Sequence, residues 1–533
     1  MTTEADFIQE KFGVLPPLFL TNEHEAIKLE LKPYIQPFER VLALRELRAL
    51  LSDDDRCIEE QGYWLIHTSR HESYFRERLT YWQRVGRAVL TLTVQNALEL
   101  TQNGLQDLSV LHHSRRLRYG PHDLHEYRGK SFPQLVRSLI TIADTPAGGL
   151  VLDPMCGSGT TLCEAIAFGR SAIGADLNPL SILISRVKAS IPLESHTDFK
   201  TRILGWLKTA KYEEVAPEQT WNSEDLSYLR LWFNPEAISD LARILGEINR
   251  LPEGLDRDFL FVCLSDIVRS VSWQKATDLR VRKEVRPYQQ GLAIERFKEK
   301  VCNQTDRIHA YLSVLPHPPQ PPSLDIREGN SVGIDRLFPE FRGRVDVLVT
   351  SPPYATALPY LDTDRLSLIV IGLLSRRWHK KREAMMIGTR EVTERQRKAE
   401  WDRFQSRKPE LPQAVVGLIE HIAHYYHTSS DMVGFRRRNL PALLAKYFLD
   451  MLDAMRAAHS LMRPDSCGYY AVGNNSTEIE GERLEIATDR FLFEIGAVAG
   501  WRQEEFIDME LLPSRDIFKG NRGSKETILC FRA

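Results

Sequence analysis

The chain lacks three things, and each absence removes a class of protein. It has no charge excess: 70 Lys and Arg stand against 72 Asp and Glu, a formal net charge of −2. A protein that holds nucleic acid non-specifically carries a global positive surplus, so any basic surface here must be local. It has no paired cysteines. The seven present (57, 156, 163, 263, 302, 467 and 530) form no C-x-x-C, which argues for reduced structural thiols and against a zinc site. It also has no apolar run near the ~18 residues of a membrane span, and its first residues show no charged-then-apolar leader. The expectation is a cytoplasmic protein without a membrane partner. A chain of 533 residues has room for several domains and a large core.

What the chain does contain is concentrated in two short segments. Gly149-Leu150-Val151-Leu152 has the pattern of a buried strand, and Asp153-Pro154-Met155-Cys156-Gly157-Ser158-Gly159-Thr160-Thr161 follows it. An apolar helical stretch then begins (Leu162, Ala165, Ile166, Phe168). Strand, glycine-rich turn and helix make a nucleotide-binding unit, in which Gly157 and Gly159 let the backbone approach a ligand and helix-start N–H groups face it. The next apolar strand, Ser171 to Ala175, ends at Asp176. That acid stands about twenty residues on, where a carboxylate can take both hydroxyls of a ribose. No Gly-Lys-Ser/Thr follows the loop and the G-x-G-x-x-G register is missing, so Walker-type phosphate binding and the dinucleotide fingerprint are both excluded.

The second segment is Ser351-Pro352-Pro353-Tyr354, directly after the apolar run Val345 to Thr350. Two prolines fix φ and remove two backbone donors, so sheet pairing stops there. A rigid corner remains, with a serine hydroxyl, free carbonyls and an aromatic face at the mouth of a strand. These groups suit a planar ring with an exocyclic amine: acceptors for the amine, a platform for the ring. Alone, such a corner is an ordinary stiff loop. Paired with the upstream loop it becomes a candidate site.

At these residues the chain resembles the class I S-adenosylmethionine-dependent methyltransferases, and more closely the DNA amino-methyltransferases of cytosine N4 and adenine N6. Their cofactor motif reads Asp-Pro-Phe-x-Gly-Ser-Gly-Thr-Thr, with Met155 here in the Phe place, and their catalytic tetrad is Ser/Asp/Asn-Pro-Pro-Tyr. Tyr127 to Gln134 is similar to the segment that closes over the cofactor's methionine end, Leu324 to Ser331 to the third cofactor strand, and Asn521 to Arg532 to the closing strand. The resemblance implies an α/β fold: a Rossmann-like, mostly parallel sheet with one antiparallel strand, helical insertions and an N-terminal α+β region. It implies S-adenosyl-L-methionine as cofactor, held by Lys130, Phe132, Asp153, Met155, Cys156, Gly157, Gly159, Thr160, Thr161, Asp176, Leu177 and Asn330. Ser351, Pro352, Pro353 and Tyr354 become the catalytic residues, acting on a base turned out of the duplex. A leading Ser in the tetrad favours cytosine N4, with adenine N6 next. Double-stranded DNA is the expected partner, with a cognate restriction or defence component as a candidate second one. Cytosine C5 chemistry needs a Cys after a Pro, and that dipeptide is absent from the chain. Two alternatives stay open: an RNA enzyme of the tRNA guanine-N2 type, for which residues 40–95 would be a degenerate RNA-binding domain, and a non-catalytic binding subunit with the same fold.

The resemblance leaves much of the chain unclaimed, and the seams suggest six parts. Residues 1–110 read as an accessory domain, with Gly62 to His67 as a strand and Leu79 to Leu90 as an amphipathic helix. Residues 111–190 are the cofactor half of the core. Residues 191–322 are a helical insertion, a candidate for target recognition, ending in a proline-rich linker. Residues 323–371 are the catalytic half, 372–444 a basic insertion and 445–533 the last part of the core. Residues 372–410 hold 12 Lys and Arg against 6 Asp and Glu. Arg376, Arg377, Lys380 and Lys381 there, with Arg280 and Arg282 in the first insertion, are the candidate nucleic-acid contacts, set near Trp378 and Trp273 for stacking. Arg436 to Arg438 is a further basic cluster. His112, His113, His122 and His125 crowd one region, but the spacing fits no standard ligand set and direct methyl transfer needs no metal; none is expected.

Overall fold

The structure is a computed structural model that describes residues 26–60, 62–103, 116–127, 129–275, 282–318, 320–355, 360–428, 435–479, 482–510 and 525–533. An N-terminal antiparallel sheet comes first: β1 (Ile27–Leu31), β2 (Arg56–Glu60), β3 (Tyr63–His67), β4 (Trp82–Gly86) and β5 (Thr91–Leu92), in the order β2-β3-β1-β4-β5. β4 lies where the sequence predicts a helix over Leu79–Leu90. Trp82 and Val85 are both buried, and the strand pairs with β1 from Lys28↔Gly86 to Leu31↔Trp82. Sheet pairing and burial of this aromatic and β-branched segment outweigh a weak helical period, and Gly86 is a poor helix former in any case.

The main sheet has seven strands: β6 (Leu150–Asp153), β7 (Ser171–Asp176), β8 (Leu324–Glu328), β9 (Val345–Thr350), β10 (Met462–Gly473) and, after a hairpin of β11 (Asn475–Ile479) and β12 (Glu482–Ile486), β13 (Arg502–Glu510) and β14 (Lys525–Arg532). The order is β13-β14-β10-β9-β6-β7-β8. β6 to β10 pair in parallel, and β14 runs antiparallel to both neighbours. The chain winds outward from β6 to β7 and β8 on one side and to β9 and β10 on the other. β6 and β9 therefore flank the point where winding direction reverses, and ligands of such sheets bind outside the carboxyl ends of the strands there. Both segments singled out above leave the sheet at that point.

β6 and β9 are almost wholly buried, and their residues alternate between two cores. Leu150, Leu152 and Leu348 pack with the long helix Phe435–His459. Val151, Val347 and Val349 pack with helix Pro133–Ile142 and the N-terminal sheet. The N-terminal sheet thus shares one core with a face of the main sheet, with helices Pro37–Leu50 and Pro133–Ile142 contributing to it. Helices between His196 and Val314 share a third core with helix Pro179–Ser190 and with Leu361–Leu374. The boundary drawn at 444/445 falls inside helix Phe435–His459. Among the described residues no helix is long and apolar enough to cross a membrane.

Candidate active site

Hydrogen bonds join the two segments. Thr350, the last residue of β9, donates from Oγ1 to Asp153 Oδ1 at the end of β6, at 2.7 Å. The same oxygen accepts the Met155 N–H at 3.2 Å, which starts the loop. Cys156 N–H reaches the Ala175 carbonyl at 3.0 Å and Gly159 N–H the Cys156 carbonyl at 2.7 Å. Gly159 then caps helix Thr160–Ala167 in the left-handed region, at φ 74°. A Cβ there would lie 2.7 Å from Ser185 Cα, so the position admits only glycine. Asp176 closes the loop from β7: its Oδ2 accepts Gly157 N–H at 2.9 Å and its Oδ1 accepts Asn178 N–H at 2.8 Å. Tyr127 lies over Gly157 and bonds Ser181 Oγ at 2.8 Å.

Burial pushes the carboxyls of Asp153 and Asp176 up to about 6, against the hydrogen bonds that hold their charged forms. It also carries the Cys156 thiol well above its ordinary range, which removes it as a nucleophile. Under the loop, buried Lys188 donates to Thr160 Oγ1 at 3.3 Å, and burial draws its ammonium down to about 7. Thr161 Oγ1 donates to the Val349 carbonyl at 3.2 Å, a second tie between loop and β9.

The corner after β9 is held from a distance. Ser351 Oγ donates to the Ala471 carbonyl of β10 at 3.0 Å. The Tyr354 hydroxyl donates to Glu526 Oε1 of β14 at 2.6 Å. A Cβ on Gly473 would stand 2.8 Å from the Tyr354 ring, and one on Gly388 would stand 3.0 Å from the Tyr354 carbonyl. Pro352 is buried; Ser351, Pro353 and Tyr354 remain partly open.

Other expected residues have partners of their own. Lys130 spends its ammonium on the carbonyls of His122 and His125, and burial lowers it to about 8. Phe132 begins helix Pro133–Ile142 and packs on its core. Asn330 lies past the end of β8, its Nδ2 donating to Met385 O at 3.1 Å and its Oδ1 accepting Val332 N–H, beside a cavity of about 310 Å³. His122 is paired with Glu164 at 2.7 Å, and burial lowers its pKa to about 4. His125 bonds Ser265. His112, His113 and Arg280 lie outside the described residues, as do the side chains of Arg436 and Arg437.

The basic run forms helix Arg376–Met385. Arg377 and Lys381 flank the exposed ring of Trp378, at 5.4 and 5.3 Å from its centroid. Lys380 is exposed, Arg376 stacks on Tyr228, and Arg282 is exposed beside Lys283, which stands over Trp273. Sequence reasoning missed Thr350, Lys188, Gly388, Gly473 and Glu526. A glycine flanking a strand end was the one available signal, and only for Gly473.

Strand order, loop and corner together define a Rossmann-like methyltransferase fold. The family model for DNA methylases matches residues 46–185. The chain is 27 % identical over 264 residues to the Type II methyltransferase M.MvaI of Kocuria varians, covering 46 % of this chain and 56 % of that one. It is 21 % identical over 402 residues to the Type II methyltransferase M.AvaI of Nostoc sp., covering 72 % and 79 %. The chain thus spans little more than half of the first of these relatives. The rRNA methyltransferase aviRa of Streptomyces viridochromogenes superposes over 77 % of this chain and 88 % of its own at 10 % identity, with a TM-score of 0.26. The similarity is thus to DNA methylases over residues 46–185 and to Type II methyltransferases over longer stretches.

Family and fold imply S-adenosyl-L-methionine as methyl donor, and the residues present fit it. The loop offers backbone with no side chain at Gly157 and Gly159, the N-terminus of helix Thr160–Ala167, and carboxylates at the ends of β6 and β7.

Proposed function

We propose that the protein methylates an exocyclic amine of a base in double-stranded DNA, cytosine N4 in the first place and adenine N6 in the second. The observation that carries this reading is the orientation of Ser351: its proton goes to Ala471 O, so its lone pairs remain as acceptors for an amine N–H. The Pro352 carbonyl accepts a hydrogen bond from the other amine hydrogen. Together they draw the nitrogen toward a tetrahedral shape and free a lone pair otherwise delocalised into the ring, and the proton displaced by the methyl group passes to solvent. Tyr354, fixed by Glu526 and backed by Gly473, supports the base after it leaves the duplex. Asp153 and the loop from Gly157 to Thr161 hold the cofactor's amino-acid end, and Asp176 its ribose. Bound S-adenosyl-L-methionine supplies an electrophilic methyl group. The protein's contribution is position and electrostatics, with no covalent intermediate. Arg377, Lys380 and Lys381 take phosphates on the target side. The expected setting is cytoplasmic restriction-modification, beside a cognate nuclease.

The test is expression in a host free of its own methylation, followed by sequencing for N4-methylcytosine and N6-methyladenine. N4-methylcytosine at one recurring site is the expected result, and N6-methyladenine would reverse the base preference. An unmodified genome beside methylated tRNA would establish the RNA alternative, and cofactor binding without either product would establish a binding subunit.

A further inference from the structure

Helix Arg376–Met385 has two kinds of cation. Arg377, Lys380 and Lys381 face outward around Trp378. Arg382 turns the other way: its Nη1 donates to the Leu177 carbonyl at 3.2 Å and to the Glu328 carboxylate. Leu177 follows Asp176 at the end of β7, and Glu328 ends the neighbouring strand β8, paired with Asp176 in register. Arg382 therefore bridges the carboxyl ends of the two strands that frame the proposed ribose position. The helix is fixed there at two more points: buried His379 Nε2 against the Leu361 carbonyl at 3.2 Å, and Met385 O accepting from Asn330. Just beyond it, Gly388 rests on Pro353 and Tyr354.

We propose that Arg382 is a positioning residue for the cofactor, tying the basic insertion to the rim of the cofactor site and neutralising Glu328, the carboxylate beside Asp176. This rests on the reading of Asp176 as the ribose-holding group. The argument is electrostatic. The titratable groups around Asp176 are Asp153 on β6, Cys156 in the loop and Glu328 on β8, with Asp364 two hydrogen bonds away through Asn178. All of them are neutral or negative, and Glu328 raises the proton affinity of Asp176. Arg382 is the cation bound to Glu328. Without it, Glu328 faces Asp176 uncompensated, Asp176 holds its proton to higher pH, and the ionised acceptor that a ribose needs is lost sooner on acidification. A residue of the target-side insertion thus sets the charge state of the cofactor site.

The experiment is calorimetric binding of S-adenosyl-L-methionine to the full chain across pH 5 to 8, for wild type, Arg382→Ala, Arg382→Lys, Glu328→Gln and the double variant Arg382→Ala/Glu328→Gln, with thermal melts as the folding control. In wild type, affinity should fall as pH drops through about 6. Arg382→Ala should move that midpoint up by about one unit, costing about twofold at pH 7 and close to tenfold at about pH 5, and Arg382→Lys should restore most of both. The double variant should return the midpoint to the wild-type value, because the uncompensated charge is gone; this arm remains readable even if Arg382→Ala alone is poorly folded. Wild-type midpoints in Arg382→Ala, or a double variant with the same midpoint as Arg382→Ala, would overturn the proposal. Absence of binding by wild type at every pH would overturn the methyltransferase reading itself, and the proposal with it.

Discussion

The loop after β6 and the corner after β9 leave adjacent strands at the same edge of one sheet, yet they are built on opposite plans. The loop supports itself: its carboxylates, N–H groups and glycines lie within residues 153–188, and almost every hydrogen bond that shapes it is local. The corner contributes little to its own support. Its serine is oriented by Ala471, its tyrosine by Glu526, and the space for the tyrosine ring is kept open by Gly473. On the proposed reading, the site for the constant cofactor is local, whereas the site for the extruded base takes its shape from whatever surrounds it. Cofactor affinity and methyl transfer should therefore come apart under mutation.

The sharpest separation is expected at the corner. Ser351→Ala should reduce methyl incorporation into DNA by roughly 10²-fold or more, the scale of one lost preorganised hydrogen bond, while calorimetric cofactor affinity stays at the wild-type value. Equal loss of both would break the contrast. Next in size is the reciprocal change, Gly159→Ala, which combines a left-handed φ with a Cβ 2.7 Å from Ser185. It should abolish cofactor binding and lower stability by about 1–2 kcal/mol from the φ strain alone, visible in denaturant titration. Gly473→Ala should displace the Tyr354 ring and lower transfer about tenfold, with cofactor affinity intact. Smaller still, Lys381→Ala should weaken DNA uniformly across sequences and reduce the slope of log K against log salt by about one.

The pH dependence sharpens the same contrast. The carboxyls of Asp153 and Asp176 are raised to about 6 in the folded chain, above an unfolded value near 4. Between those values the folded state binds more protons than the unfolded one, so these two groups cost stability as pH rises through the window. Cofactor binding should do the reverse, growing as pH rises through about 6. Opposite slopes in melting temperature and cofactor affinity over pH 4–6.5 are the expected signature.

The two plans also explain what could be read beforehand. The loop was legible because strand, glycines, helix and acid are contiguous and each has a local reason to be there. The tetrad was legible as a corner, but its supports were not, since Gly388, Ala471 and Glu526 carry no mark of the residues they meet and Gly473 only that of a glycine at a strand end. β4 was misread for a related reason: its strand character comes from pairing with β1, about fifty residues earlier. In the basic run, composition cannot distinguish Arg382 from Arg377. The difference is which side of the helix meets the sheet, and the third core shows the first insertion likewise packed on the main body by contacts no local pattern announces.

The bond from Tyr354 to Glu526 spans 172 residues of chain. During synthesis the loop's own bonds can close once helix Pro179–Ser190 has left the ribosome, whereas the corner has to wait for β14. A nascent chain would thus shape the loop well before the corner, and an interrupted one would hold the first without the second.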